Sequence, residues 1–532
     1  MTLSACGGGT ANRNKQSSLT LLANEQDAYP RNFNPYSPSV VSGTPGMIYE
    51  TLLDINRLNG TVNPWLASSY SQDSMSITFH LRQGVQWSDG KPLTSADVVF
   101  TLGLLKKYSG MDVNGIAPLI KDVVAPDTST VKVTLNKPSS PMLWYLGGQT
   151  FILPQHIWSS VKGDASQYAD PNPVGTGPYV LKNFTPQLVT LSKNTKFWQP
   201  GKPEVNELKI PAYNSNTSAE LALQRGDIDW TNLFIPDIQK TYINLDKQHN
   251  HYWFPSSDIV MLYLNLTKYP FNLLPVREAI SDSIDRNQLY QVGESGYEPP
   301  ANPTGLLPYN KSYTSPAYAN LSFSQDTTKA QQLLQSVGFT KGSDGIYADK
   351  HGKKLSFHLN VVSGYTDWIT DCQIMAKNLQ DIGIKVTVST IDFDAYFNAL
   401  QMGNYDMAML WTNPGPTPYY LYNALLGSVN SAPIGQLASS NYERWRDPAT
   451  DKFLNQFAST TDPTIQKQAI AGLETIMVQQ LPSIPLTYEP YWYQYSTSKF
   501  VGWPDAQHPY ASPGAAEYPD IEYVVLNLHP AS

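Results

Sequence analysis

The stretch Leu410-Trp411-Thr412-Asn413-Pro414-Gly415-Pro416-Thr417-Pro418-Tyr419-Tyr420 interleaves aromatic rings with prolines. Proline fixes φ, so a loop of this kind holds its rings in place with little entropy left to lose on binding. Flat indole and phenol rings stack on the C–H faces of a pyranose, and side-chain amides or carboxylates then accept its hydroxyls. Trp411 and Tyr419 are therefore candidates for stacking and Asn413 for orienting. A second run, Tyr491-Trp492-Tyr493-Gln494-Tyr495, with Trp503 behind it, offers the same chemistry. Tyr36, Trp230, Tyr252 and Trp253 are further ring candidates; Asn34, Asp229 and Asn265 are further polar ones.

Other chemistries fit less well. Asp227 and Asp229 alternate along an expected strand and would project to one face, which invites a glycoside hydrolase reading. His249-Asn250-His251 has the spacing of metal ligands, but it lies in a polar loop with no cysteine and few carboxylates, and reads as solvated. There is no Gly-x-Ser-x-Gly, His-Glu-x-x-His, Cys-x-x-Cys or phosphate-loop pattern. No enzyme, metal or cofactor is expected.

The two cysteines have separate uses. Leu3-Ser4-Ala5-Cys6 reads as a lipobox, and the glycines after it begin a polar stretch that runs to Ser18. Cys6 is the expected lipidation site and residues 1–18 the flexible tether. That places the protein outside the cytoplasmic membrane, on its outer face or in the periplasm, with membrane contact through lipid alone. Cys372 shares a helical stripe with Ile369, Met375, Leu379 and Ile382, which marks it as a packing residue.

Elements must position these residues. A chain of 532 residues is too long for one core and predicts several domains. Its net charge of −8 comes without a basic run, which excludes nucleic acid as a partner. Charged residues make up 15% and aromatics 12%, a balance consistent with large cores or a stacking cleft. Ile77–Arg82, Val131–Leu135 and Val260–Asn265 alternate as strands. Thr94 and Asp97 form a capping box before a helix. A strand at Leu355–Val361, the Cys372 helix and a strand at Lys385–Thr390 make a strand–helix–strand crossover. Further helices start at Pro275, after Asp326 and after Asp462. The result is α/β, in two lobes.

The run Phe79-His-Leu-Arg-Gln-Gly-Val-Gln-Trp-Ser-Asp-Gly-Lys-Pro-Leu-Thr-Ser-Ala-Asp-Val-Val-Phe100 resembles the signature of the family 5 extracellular solute-binding proteins. Gly175–Tyr179, Phe197-Trp198, Gly226–Asp229, Val276–Arg286, Lys329–Leu334 and Pro482–Leu486 follow in that family's order. These proteins are the binding components of oligopeptide, dipeptide, nickel and oligosaccharide ABC importers. The resemblance implies a periplasmic-binding-protein-like clamshell with an inserted third subdomain. Lobe I would comprise 19–50 with 170–265 and 488–532, the insert 51–169, and lobe II 266–487. Hinge strands are expected near Leu264–Thr267 and Thr487–Tyr491, with the ligand in the interlobe cleft. The family's turn accounts for Asp227 and Asp229 without catalysis.

Peptide binders of the family often place an aspartate soon after the tryptophan of the second lobe, and here Trp411 is followed by none. The run from Tyr491 to Pro504 also looks like the cellobiose-type, oligosaccharide-binding branch. The expected ligand is thus a neutral oligosaccharide, with an oligopeptide as the alternative. The expected partners are a membrane permease and its ATPase subunits, and the binding protein itself should be a monomer.

Overall fold

The computed structural model describes residues 18–531 apart from Glu25 and Asn413. Cys6 and the rest of the expected tether up to residue 17 lie outside the described residues, as does Asn413. Among the described residues no helix is long and apolar enough to cross a membrane.

Three sheets organise the chain. The first has seven strands in the order Asn250–Tyr252, Gln494–Ser496, Trp230–Thr231, Ser18–Leu22, Glu207–Pro211, Leu188–Lys193 and Tyr179–Thr185. Its central strand, Ser18–Leu22, runs parallel to both neighbours, and Leu19, Leu21 and Leu22 are fully buried. Strands from the start, middle and end of the chain thus build one lobe.

A four-stranded antiparallel sheet, Ala67–Gln72, Ser76–Leu81, Thr130–Leu135 and Ile120–Asp127, forms the insert. Ile77, Phe79 and Leu81 alternate inward as their spacing predicts. The adjoining helix Ser95–Lys107 starts where Asp97 reaches back to the Thr94 backbone N–H at 2.9 Å.

The second lobe carries five strands, Lys385–Ile391, Ser356–Val362, Met407–Trp411, Ser256–Leu264 and Ile484–Pro490. Ser356–Val362 and Lys385–Ile391 are parallel and joined by the helix Thr366–Asp381, as the crossover reading requires. Cys372 is buried on that helix, 3.8 Å from the Met409 sulfur.

The first lobe crossing differs from expectation. Ser256–Leu264 belongs to the second-lobe sheet, hydrogen-bonded to Met407–Trp411 on one side and Ile484–Pro490 on the other. The chain therefore changes lobe at residues 253–255, before this strand, and the expected boundary at 265 falls inside the second lobe. At 264–267 it merely turns there: Asn265 N–H donates to Asp406 O at 3.0 Å and Leu266 N–H to Glu443 O at 3.1 Å. The return crossing lies at 491–493. The two crossings are bonded together, Trp253 N–H to Tyr493 O at 3.1 Å and Tyr491 N–H to Pro255 O at 2.8 Å.

Candidate ligand-binding cleft

A cavity of about 670 Å³ opens between the lobes. From the first lobe it takes Asn232, Phe234 and the segment Ser215–Thr217; from the second, Trp411, Glu489 and the loop Gly364–Trp368; from the return crossing, Trp492. A second cavity of about 270 Å³ shares Asn232, Trp411, Glu489 and Trp492 with the first and extends toward Arg57, Asp258 and Glu517. These volumes suit a small-molecule or short-oligomer occupant.

Local structure explains why the rings stand here. Trp411 ends the strand Met407–Trp411, paired across from Val260. Trp368, Phe397 and Tyr365 surround it, with ring centroids at 5.5, 5.9 and 6.4 Å. Trp492 sits where the chain leaves the second-lobe sheet, and Phe254, Phe234 and Tyr297 meet it at 5.0, 5.1 and 5.7 Å in edge-on packing. Such collars fix the indoles before any ligand arrives and lower the entropy cost of binding.

The polar lining is acidic. Asp367 lies in the first turn of the helix Thr366–Asp381, and its carboxylate accepts from Trp368 N–H at 2.9 Å. Burial nevertheless raises it above the usual carboxylate range. Asp258 accepts from Ile259 N–H at 2.7 Å, from Thr412 N–H at 3.0 Å and from the Thr412 hydroxyl, and burial pushes it up to about 7. Glu489 stands well above the ordinary value, through burial and then through repulsion from Asp258, Asp367 and Glu517. Behind it Glu298 accepts from the Thr487 hydroxyl at 2.9 Å and is raised by burial and by Glu489. Among the described residues the one cation lining either cavity is Arg57, 3.0 Å from Glu517. Asn232 donates to Ala23 O at 3.0 Å, while its side-chain oxygen is buried with no donor.

Of the expected ligand residues, Trp411 and Trp492 line the same cavity. Five others are core residues whose polar atoms are already engaged. Asn34 donates to Tyr168 O at 2.9 Å and accepts from Tyr36 N–H at 3.0 Å; Tyr36 donates to Phe151 O at 2.6 Å. Trp230 is fully buried and donates to Pro513 O at 2.8 Å, its ring 5.4 Å from that of Trp503. Trp503 donates to Phe500 O at 2.9 Å. Asn265 donates to Gly403 O and Tyr405 O at 2.9 and 3.2 Å. Tyr419 stacks on Phe457, centroids 5.0 Å apart, away from this cavity. Trp253 lies in the first crossing, edge-on to Tyr493.

Asp227 and Asp229 do not form a catalytic pair. The strand there begins only at Trp230. Asp227 pairs with Arg225 at 3.0 Å, whereas Asp229 is buried, 2.8 Å from Lys499 and accepting from Thr20 N–H at 2.9 Å. His251 stacks on Tyr495 and His249 lies 2.8 Å from Asp246. Among the described residues no group of three or more histidines, cysteines or acids is placed to hold a metal.

Sequence reading missed Asp367, Trp368, Glu489 and Asn232. The first two carried a signal: the loop Gly364–Trp368 follows the carboxyl end of a parallel strand, where open α/β sheets place ligands.

Two α/β lobes joined by a paired crossing, with an aromatic cavity between them, define a solute-binding protein of the periplasmic-binding type. Residues 61–433 match the model of the bacterial extracellular solute-binding proteins, family 5, and the chain belongs to that family, the substrate-binding proteins of ABC importers. The glutathione-binding protein GsiB of Escherichia coli K12 is 28% identical over 449 residues, 80% of each chain. An oligopeptide ABC transporter periplasmic oligopeptide-binding protein from Thermotoga maritima superposes with a TM-score of 0.89 at 27% identity, over 98% of this chain and 100% of that one. Its mannohexaose-bound structure gives a TM-score of 0.83 at 27% identity, over 98% and 99%.

Proposed function

We propose that this protein captures an oligosaccharide in the interlobe cavity and delivers it, without chemical change, to a membrane permease driven by ATPase subunits. The observation that carries the reading is the convergence of Trp411 and Trp492 on one cavity that also offers Asn232, Asp367 and Glu489 as hydroxyl acceptors. Rings hold sugar faces and the acceptors set orientation. The mannohexaose bound to the Thermotoga maritima relative supports the same ligand class. Lipidation at Cys6 would keep a loaded monomer beside its permease, on the outer face of the membrane.

An oligopeptide is the second reading. It is favoured by the acids of the cavity wall, which can receive an ammonium, and by the oligopeptide- and glutathione-binding descriptions of the relatives. Thermal-shift titration with cello-, xylo- and manno-oligosaccharides and with short peptides separates the two. A ligand that binds only the folded chain raises its melting temperature as concentration increases. Shifts with peptides and none with any sugar would refute the oligosaccharide reading.

A further inference from the structure

We propose that the ligand carries one cationic group, held in the large cavity between the carboxylates of Glu489 and Asp367 and the rings of Trp411 and Trp492. This inference rests on reading the cavity as the capture site, and it replaces the neutral sugar expected from sequence with one bearing an ammonium, or with a peptide amine.

The argument begins with charge balance. Three elements bring acids to one wall: Asp258 on the strand Ser256–Leu264, Glu489 on Ile484–Pro490, and Asp367 at the start of Thr366–Asp381. Glu517 and the buried Glu298 face Glu489 as well. Among the described residues no lysine, arginine or histidine lines the large cavity. Arg57 in the adjoining one is paired with Glu517. Deeper still, Glu294 and Asp371 are fully buried and share a hydrogen bond with each other.

Arg57 also acts on Asp258, but among the described residues no cation acts on Glu489 or Asp367, and acids without counter-charge are costly in a site that closes away from water. A bound cation supplies the missing charge. Aromatic faces reinforce it, since a desolvated ammonium close to an indole is drawn to the ring quadrupole, and charge-assisted hydrogen bonds to the carboxylates fix its place. An acidic ligand would meet the opposite field.

Burial holds Asp367 above the usual carboxylate range, and burial with repulsion from Asp258, Asp367 and Glu517 does the same to Glu489. An arriving ammonium favours their charged forms, so a carboxyl proton leaves for solvent as the ion pair forms. A neutral ligand gives no such release.

Isothermal titration of the full chain tests this with two matched pairs: tetra-glucosamine against tetra-N-acetylglucosamine, and tetra-alanine with a free against an acetylated N-terminus. The free amine of at least one pair should bind about tenfold or more tighter. Its heat should differ between buffers of different ionisation enthalpy, reporting proton release. Glu489→Gln and Asp367→Asn should each erase most of the preference. The responding pair identifies the source of the amine, sugar or peptide. Equal binding of acetylated and free forms overturns the cation, as does a preference that survives both substitutions. Acetylated sugar that still binds would then leave the oligosaccharide reading intact. Binding by neither sugar, with free peptide preferred, sinks that reading and keeps the cation. Binding by none of the four sinks both.

Discussion

The phenol of Tyr420 donates to the main-chain oxygen of Pro141 at 2.9 Å, joining the second lobe to the insert. Its ring lies edge-on to those of Trp144 and Tyr145, with centroids at 6.2 and 5.5 Å. Beside it Ser140 N–H donates to Ala458 O at 2.7 Å and the Gln466 amide to the Ser140 hydroxyl at 3.2 Å. This seam bridges the lobes at a distance from the crossing strands, so it should favour the closed arrangement. Tyr420→Phe removes one hydrogen bond, about 1 kcal/mol, and should weaken ligand affinity about fivefold. Tyr420→Ala also removes the ring, about 3 kcal/mol of packing, and should enlarge the radius of gyration in small-angle scattering. Unchanged affinity in the alanine variant would show that the seam has no part in closure.

Trp411 and Trp492 should separate from Trp230 and Trp503 when each is replaced by alanine. The first two line the cavity, so their loss should cost about 2 kcal/mol of binding. The latter two are core residues with their indole N–H groups bonded internally, and their loss should cost about 3–5 kcal/mol of stability. Calorimetric binding set beside urea denaturation distinguishes them; a Trp411→Ala protein with full affinity would dismiss that indole from the site.

Stability should fall as the pH rises through the near-neutral range. Burial pushes Asp54 and Asp170 up to about 6 and Glu474 up to about 7. Unfolded carboxyls titrate near pH 4, so the folded chain binds more protons than the unfolded one between these values. The stabilisation is complete below about pH 4 and is lost as the pH climbs through about 6 to 7. Melting temperature should decline between about pH 5 and 7.5 and then level. Glu522, buried against Glu50, stands well above its ordinary value through burial and then through repulsion from Glu50. Glu522→Gln should therefore flatten the profile and raise the melting temperature near pH 8. A melting temperature that increases over this range would contradict the account.

Lys499 and Asp229 form an ion pair at 2.8 Å, with the aspartate almost wholly buried. Lys499→Met strands a carboxylate inside the first lobe, and breaking a buried pair this way costs about 3–5 kcal/mol. Urea midpoints should drop accordingly while ligand affinity stays the same. A midpoint within error of the parent would mean that Asp229 takes up a proton at negligible cost.

Periodicity was legible wherever one face of an element is buried. Ile77–Leu81, the Cys372 helix and the parallel pair that it joins all read directly, because apolar spacing reports which side meets the core. The lobe crossing did not. Val260–Asn265 alternates in its residues, yet Ile259–Leu264 is buried on both faces, and nothing in such a strand says which sheet receives it. Ring chemistry was equally ambiguous: Trp230 and Trp411 are alike as residue types, and only tertiary packing sends one indole to the core and the other to the cavity. The acidic wall was illegible for a different reason. Asp258, Asp367 and Glu489 are far apart in sequence and meet only because two strands and a helix start converge.

The paired crossing limits how the protein can move. Trp253 and Tyr493, and likewise Tyr491 and Pro255, are bonded to each other, so the two connections behave as a single ribbon. A ribbon bends about one axis and resists both twist and independent sliding. Opening is then close to a one-parameter motion, a door on one pin. One distance between two points far from that pin, one on each lobe, would suffice to follow the opening and closing.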